Sequence, residues 1–137
     1  MPAPIYTNQA ALAMCGLLDT ALVACKVRLY QPTLGGALNA NTTHAQLVAA
    51  LATYTGYLDI TVAALLAPYL DPTGGASTQI GTVQFASTGP AVKNSIQGFW
   101  VEDAGGVVYL AGDFDGLVPM NDVGDALPLD IKFRFGN

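Results

Sequence analysis

The sequence predicts a mainly β protein: an antiparallel β-sandwich or jelly-roll-like body of six to eight strands, with one or two helices near the N-terminus. Three observations lead to this class. Residues 127–135 alternate strictly between apolar and polar, a period that buries one face of a strand. Residues 96–110 have the best hairpin pattern of the chain. From residue 71 onward, short apolar runs alternate with turn clusters of Gly, Pro and Asp.

The first predicted element is a helix from about residue 8 to residue 23. Thr7 or Asn8 can cap it, because their side-chain oxygens accept hydrogen bonds from the first free amides of a helix. Apolar residues recur at spacings of three and four along one face: Leu12, Cys15, Leu18 and Leu22. Alternation over Lys26–Tyr30 then predicts a short strand.

The middle of the chain gives weaker signals. Thr43 followed by Gln46 has the spacing of a capping box and predicts a second helix of about ten residues. Beyond the Gly56 hinge, a further strand is indicated by three alternating apolar residues, Leu58, Ile60 and Val62. The stretch Ala63–Leu70 fits either a strand or a helical turn.

The second half reads as strands joined by turns. Ile80–Phe85 alternates in part, and Ile96–Glu102 and Val107–Leu110 are joined by four residues that include two glycines. The final strand has its apolar side chains on one face: Leu127, Leu129, Ile131, Phe133 and Phe135. No low-complexity linker divides the chain, so we expect one domain over residues 1–137, with the helix at about 8–23 and the sandwich at about 26–136.

Composition narrows the classes of partner. Hydrophobic residues make up 52% of the chain and charged residues 11%, which is low against about 25% in ordinary soluble proteins. A surface this short of charge predicts that copies of the chain cover one another as a homo-oligomer. With net charge −5 and five scattered cations, the chain cannot neutralise a phosphate track, so we expect no nucleic-acid partner. Asp19 interrupts the longest apolar run, and no membrane span is expected.

No catalytic constellation is evident. His44 is the only histidine, its place at the start of a helix suggests a capping or exposed residue, and none of the three serines lies in a nucleophile-elbow pattern. Cys15 and Cys25 lie too far apart along the first helix to form a bridge within it, which fits two reduced thiols in a protein made in a cytoplasm. No basic region precedes Met14 as a secretion signal would require. We expect a protein that is not an enzyme and needs no cofactor.

Four carboxylates are the only candidates for a metal site: Asp113, Asp115, Asp122 and Asp125. They lie between the last hairpin and the final strand, and Asp113 to Gly116 mimics the start of a calcium loop. However, Leu117 stands where another oxygen ligand is needed, and no bidentate Glu follows. Aspartates in glycine-rich turns also form hydrogen bonds that shape the turn. The sequence therefore predicts no metal.

Aromatic side chains are the remaining route to a binding site. Tyr54 and Tyr57 flank Thr55-Gly56, and rings in this arrangement can stack on a sugar or on a loop of a partner. Rings beside a glycine also cover bare backbone, and this second interpretation is favoured. Trp100 is a further candidate contact for a glycan.

The order of these motifs resembles a family. Tyr54-Thr55-Gly56-Tyr57, then Val83-x-Phe85, then the segment from Ile96 to Gly106, and finally Gly124-Asp125 ahead of the alternating strand, resemble small phage virion proteins of the head decoration, head fibre or tail fibre type. The resemblance covers nearly the whole chain as a pattern of short turn and strand signatures. The stretch from Asp59 to Gly75 departs from it.

The resemblance implies a structural protein of a tailed bacteriophage. The expected role is capsid decoration or a head fibre, as a homo-oligomer, with three copies expected, that docks on the major capsid protein or another virion protein. Its expected location is the virion, after synthesis in the host cytoplasm. The alternative is a receptor- or glycan-binding module at a tail or fibre tip, with contacts through Tyr54, Tyr57 or Trp100. A cellular lectin-like domain would need a secretion signal.

Overall fold

The structure is a computed structural model that describes residues 7–34, 36–62, 65–70, 72 and 75–135. Its elements in chain order are α1 (Asn8–Leu22), β1 (Lys26–Tyr30), α2 (His44–Ala49), β2 (Ile60–Thr61), β3 (Leu65–Leu70), β4 (Ala76–Ala86), β5 (Asn94–Glu102), β6 (Val108–Met120) and β7 (Ala126–Phe135). One sheet has the order β2-β1-β5-β6 and the other the order β3-β4-β7. The prediction of a mainly β protein with two antiparallel sheets, as in β-sandwiches, and a leading helix is confirmed.

The chain divides into two compact units. One contains the described parts of residues 1–23, 62–83 and 129–137, and the other contains residues 24–61 and 84–128. The strands β4 and β7 each begin in one unit and end in the other. The single domain over residues 1–137 stays a prediction.

In the first unit, α1 begins and ends close to its predicted bounds. The Thr7 hydroxyl oxygen accepts a hydrogen bond from the Ala10 amide at 3.1 Å, which satisfies one of the free donors of the first turn. Ala11 and Cys15 form a small buried cluster with Ala76 of β4, against which Leu12 and Phe135 pack. The periodic apolar residues therefore face the core of this unit, as their spacing predicts.

In the second unit, α2 is shorter than the ten residues predicted. The capping box is present: the Thr43 hydroxyl accepts from the Gln46 amide, and the Gln46 side chain accepts from the Thr43 amide. The helix ends early because the chain turns to bond with β1. The Ala50 carbonyl accepts from the Gln31 amide, and the Ala52 amide donates to the Leu29 carbonyl.

Two sequence predictions between residues 56 and 70 are only partly right. The strand expected over Leu58, Ile60 and Val62 is reduced to Ile60–Thr61, because Leu58 follows a turn closed by the Tyr57 amide on the Tyr54 carbonyl. Residues 65–70 form a strand, which resolves the open choice there, while Ala63 and Ala64 lie outside the described residues.

The hairpin of β5 and β6 is present, and β6 is longer than predicted. Asp103 closes the turn, since its carboxylate accepts from the amides of Gly105 and Val107 at 2.8 and 2.9 Å. The pairing with β5 continues past Leu110 to Met120 through two register shifts. Residues 111–120, which the sequence places between the predicted hairpin and the final strand, therefore belong to β6.

The last strand alternates in the structure as it does in the sequence. Leu127, Leu129 and Ile131 are buried, Phe133 and Phe135 are half-buried, and the four residues between them are exposed. No helix in the described part of the chain is long and apolar enough to cross a membrane.

Candidate functional site: three bonded loops and a charged cluster

Three loops of the second unit are joined by backbone hydrogen bonds into one surface, which we call the loop end. It consists of residues 53–59, 87–93 and 121–125. Thr55 is central: its amide donates to the Val92 carbonyl at 3.1 Å, and its carbonyl accepts from the Thr88 amide at 3.0 Å. The Ser87 amide donates to the Asp125 carbonyl at 2.8 Å. These bonds pair backbone amide and carbonyl groups that would otherwise depend on water for hydrogen bonds. They fix the three loops relative to one another.

Gly56 is required by the close approach of two of these loops. Its φ is +89°, in the left-handed region that favours glycine. A Cβ at this position would lie 2.4 Å from the Thr88 hydroxyl oxygen, well inside contact distance. The sequence showed this glycine as a hinge, and the structure shows it as a packing point between residues 53–59 and 87–93.

Of the two tyrosines beside Gly56, Tyr54 is buried and Tyr57 is half-buried. The rings of Tyr54 and Tyr57 meet edge to face at 5.4 Å between centroids, and Tyr57 stacks on Phe85 at 6.1 Å. Tyr54 is 2% exposed, and burial raises its pKa to about 12. The structure favours rings that cover backbone over an exposed stacking platform, and Tyr54 offers no face to a sugar.

The Tyr57 hydroxyl links the loop end to the sheet. It accepts a hydrogen bond from the Leu29 amide of β1 at 3.2 Å and donates to Asp59 Oδ1 at 2.9 Å. Burial, together with the hydrogen bond and charge of Asp59, raises its pKa well above the usual value. A tyrosine in this position orients Asp59 toward β1.

Asp59 belongs to a cluster of charges around Trp100, which we call the charged cluster: Arg28, His44, Asp59 and Glu102. The Arg28 guanidinium contacts Asp59 Oδ1 at 3.1 Å and Glu102 Oε1 at 2.8 Å. Burial lowers the pKa of Arg28, but the hydrogen bonds and charges of the two carboxylates outweigh this effect and raise it above its usual value. Arg28 thus joins the loop end to the β5–β6 hairpin.

Trp100 lies beneath the charged cluster and is not a surface residue. It is 0% exposed, its indole N–H donates to Glu102 Oε2 at 3.2 Å, and the Arg28 guanidinium carbon lies 5.3 Å from its ring centroid. The expectation of an accessible contact residue is wrong for Trp100, because the ring fills the core beside Tyr30. Residues 96–102 have apolar side chains on both faces of the strand, so the sequence did not show which face is buried.

His44 has a partner that its sequence position did not indicate. It begins α2, and its Nε2 contacts Glu102 Oε2, with the ring against Gly106 of the hairpin turn. A Cβ on Gly106 would lie 3.1 Å from the His44 ring. The only histidine and the only glutamate of the chain therefore meet, which ties α2 to the hairpin.

The four candidate carboxylates for a metal do not converge. Asp113 and Asp115 lie on β6, where Asp113 accepts a hydrogen bond from the Tyr30 hydroxyl. Asp125 accepts from the amides of Asn121 and Asp122 at 2.8 and 2.9 Å, and these bonds lower its pKa. Within the described residues, no three His, Cys, Asp or Glu side chains are grouped so that they could hold a metal ion. Asp125 instead shapes the last loop of the loop end.

The loop end presents aliphatic side chains that the sequence analysis missed. Leu58, Val92 and Val123 are 76%, 47% and 73% exposed, one on each of the three loops. Val92 and Val123 lie beside turn residues, where a lone apolar side chain has no periodicity to draw attention to it, and the alternation of Leu58 indicated a strand and not an exposed side chain. A cavity of about 470 Å³ opens next to Leu58 and is also lined by Asp59, Gln84 and Thr88. Exposed apolar side chains on loops that are bonded to one another can form part of a protein docking surface.

A scan against protein-family models, a search of curated proteins and a search of solved structures find no match to this chain.

Replacing Gly56 by alanine tests the packing of the loop end. We expect Gly56→Ala to lower the free energy of unfolding by about 2 kcal/mol or more, because the Cβ meets Thr88 and the backbone has a positive φ. Gly116→Ala on β6 is the matched control, since an added Cβ there has no atom within 4 Å. Urea denaturation measures both, and equal losses in the two variants would contradict this account.

A second test of the loop end removes the hydroxyl oxygen of Tyr54 or of Tyr57 by substitution with phenylalanine. Tyr57→Phe loses bonds to Leu29 and Asp59, so we expect a loss of about 1–2 kcal/mol in the free energy of unfolding. The buried Tyr54 hydroxyl has no hydrogen-bond partner within the described residues, so Tyr54→Phe is expected to be neutral or stabilising. Thermal and urea unfolding measure the free energy of unfolding of both variants. A larger loss for Tyr54→Phe than for Tyr57→Phe would contradict the structure.

Proposed function

We propose that this chain is a non-enzymatic structural virion protein of a tailed bacteriophage, a capsid decoration or head fibre component that docks through the loop end. One observation carries the proposal: three loops fixed to one another by hydrogen bonds expose Leu58, Val92 and Val123. Preorganised loops lose little entropy on binding, and an apolar contact of this kind suits a protein surface. The partner is the major capsid protein or another virion protein, and the location is the virion.

The reactive side chains support a structural role. Burial raises the pKa of both cysteine thiols, and the charges of Asp19 and Asp103 raise them further, which disfavours the thiolate that a nucleophile needs. The Ser87 hydroxyl donates to the Gly89 carbonyl within the loop end. His44 bridges α2 to Glu102.

A small contact per copy is sufficient for docking when several copies of the chain bind together. Each copy offers a few exposed aliphatic side chains, and a homo-oligomer that docks at several points gains in avidity because the later contacts form within one assembly. The low fraction of charged residues, 11% of the chain, supports self-association as part of the role. Three copies is the state expected from the resemblance.

A receptor- or glycan-binding module at a tail or fibre tip is the second candidate. The cavity beside Leu58 favours it, because Asp59, Gln84 and Thr88 give that cavity polar groups that sugar hydroxyls can bond. Copy number separates the two candidates. On the order of hundreds of copies per virion, by quantitative gel, favours decoration of a repeating shell, whereas a handful favours a tip.

Substitution of one exposed leucine tests the docking surface. We expect Leu58→Asp to weaken binding to purified capsids that lack the chain roughly tenfold or more, because a charge would be buried in an apolar contact. Leu117→Asp places the same change at an exposed site on β6 and is the control. Co-sedimentation with capsids measures both, and capsid binding by Leu58→Asp equal to that of the unchanged chain would reject the loop end as the docking surface.

A further inference from the structure

The strand β6 is the outer strand of the four-stranded sheet, and no described strand covers its second edge. The sheet order β2-β1-β5-β6 places it at the end, where it pairs with β5 alone. Between Val108 and Asp113 it contains no proline, so every residue there has a backbone amide. An open edge of this kind can accept an additional strand through main-chain hydrogen bonds.

A cavity of about 400 Å³ lies beside the first part of this edge. Its apolar lining comes from the loop after β1, from α2 and from β6, and includes Leu38, Leu47, Val108 and Ala111. The polar side chains of Asn39 and Thr42 also line it, but they form hydrogen bonds within their own loop. Because ligand cavities have volumes of roughly 300–1,000 Å³, this one has room for a large apolar side chain.

Asp113 lines a second, smaller cavity of about 220 Å³ next to the first. Leu38 lines both cavities, and Gln97 of β5 lines the second one with Asp113. The two cavities therefore follow one another along β6, the apolar one at residues 108–111 and the acidic one at Asp113.

The Asp113 carboxylate is held by a buried tyrosine that crosses the neighbouring strand. Tyr30, Gly98 and Asp113 lie side by side on β1, β5 and β6, and the Tyr30 hydroxyl donates to Asp113 Oδ1. Gly98 leaves room for this contact, because a Cβ there would collide with the Tyr30 hydroxyl and with the Gly112 carbonyl. Within the described residues, Asp113 Oδ2 has no hydrogen-bond partner.

The charge around Asp113 favours a cationic ligand group. Asp115 is also exposed on β6, and in the described part of the chain neither carboxylate is paired with a lysine or an arginine. The side-chain amide of Gln97 has no hydrogen bond within the same residues, so its oxygen is a second acceptor in the smaller cavity. A guanidinium has several donors in a fixed plane and can bond both acceptors, which favours arginine over lysine.

The spacing of the two cavities sets the spacing of the ligand groups. Ala111 is paired with Trp100 and Asp113 with Gly98, so the side chains of Ala111 and Asp113 lie on the same face of the sheet. On an added strand, side chains that share a face are also two positions apart. The expected ligand therefore has an apolar residue and an arginine at positions i and i+2.

The arginines of this chain do not supply that pattern. Arg28 is bonded to Asp59 and Glu102, and the residues two positions from Arg134 are Lys132 and Gly136. A second copy of the chain therefore lacks an accessible arginine with an apolar residue at the required spacing. This favours a different protein as the partner at the β6 edge.

We propose that the β6 edge between Val108 and Asp113 binds an extended segment of a partner protein as a fifth strand, with an apolar side chain in the larger cavity and an arginine on Asp113. The inference does not rest on the virion role, because none of these residues belongs to the loop end. Failure of peptide binding would leave docking through the loop end standing, and failure of capsid binding would leave the β6 edge standing.

A fluorescein-labelled peptide tests the ligand pattern. The probe is Thr-Thr-Leu-Thr-Arg-Thr-Thr, in which leucine and arginine share one face of a strand. We expect saturable binding by fluorescence anisotropy below about 1 mM chain. Three control peptides replace leucine by threonine, replace arginine by glutamine, or place arginine directly after leucine so that the two face opposite sides. Each is expected to bind about tenfold more weakly or less, and the protein is the same in every case.

A charge-removing variant tests the protein side. We expect Asp113→Asn to weaken binding of the first peptide about tenfold or more, because the amide cannot pair with a guanidinium as a carboxylate does. The asparagine oxygen can still accept from Tyr30, so the fold is expected to persist, which circular dichroism checks. Asp122→Asn removes one charge from an exposed residue outside β6 and is the matched control, with binding unchanged.

Three results would overturn the proposal: no saturable binding of the first peptide, equal binding of the peptide with adjacent leucine and arginine, or an equal loss in Asp113→Asn and Asp122→Asn. A loss confined to Asp113→Asn, together with preference for the peptide with alternate spacing, supports an added strand at this edge.

Discussion

The Arg28 guanidinium on β1 contacts one carboxylate from the loop end and one from the hairpin. Asp59 approaches from residues 53–59, and Glu102 stands at the end of β5 above Trp100. Removal of one member of a largely buried ion pair leaves the others uncompensated, which costs several kcal/mol as a rule. Glu102 in turn receives His44 of α2, so the position of the short helix depends on the same charge. Arg28 therefore links three parts of the second unit: the loop end, the β5–β6 hairpin and, through Glu102, the helix α2.

The conformation of the loop end depends on these contacts of Arg28. Asp59 is fixed by Arg28 and Tyr57, and the residues before it carry Gly56 against Thr88 and Thr55 against Val92. With the backbone bonds satisfied internally, the exposed aliphatic side chains are the groups through which we propose that these loops contact a partner. This is why we connect the fold to docking rather than to chemistry. The cavity beside Asp59 keeps a sugar ligand as the second candidate.

Local signals in the sequence predicted local structure well. Three features are each determined by residues within ten positions of one another, so each appears in the structure. They are the strict alternation of residues 127–135, the capping box at Thr43 and the Asp103 turn. Leu58 alternates with its neighbours but is excluded from β2, since the preceding turn is fixed by distant contacts. The burial of Trp100 and the meeting of Arg28, Asp59 and Glu102 depend on the pairing of β1 with β5, which no short pattern contains. The candidate site was thus predictable only in part: Tyr54 and Tyr57 drew attention to residues 53–59, and the favoured interpretation, rings that cover backbone, fits the burial of Tyr54.

Amide hydrogen exchange of an Arg28→Met variant tests the central claim that one guanidinium organises the loop end. The Val92 amide donates to the Thr55 hydroxyl oxygen at 2.8 Å. The account predicts faster exchange at the bonded amides of Thr55, Thr88 and Val92, with the α1 amides unchanged. Arg134→Met, a change at the only other arginine, is the control and should leave the loop end protected. Protection of those three amides in Arg28→Met equal to that of the unchanged chain would contradict the account.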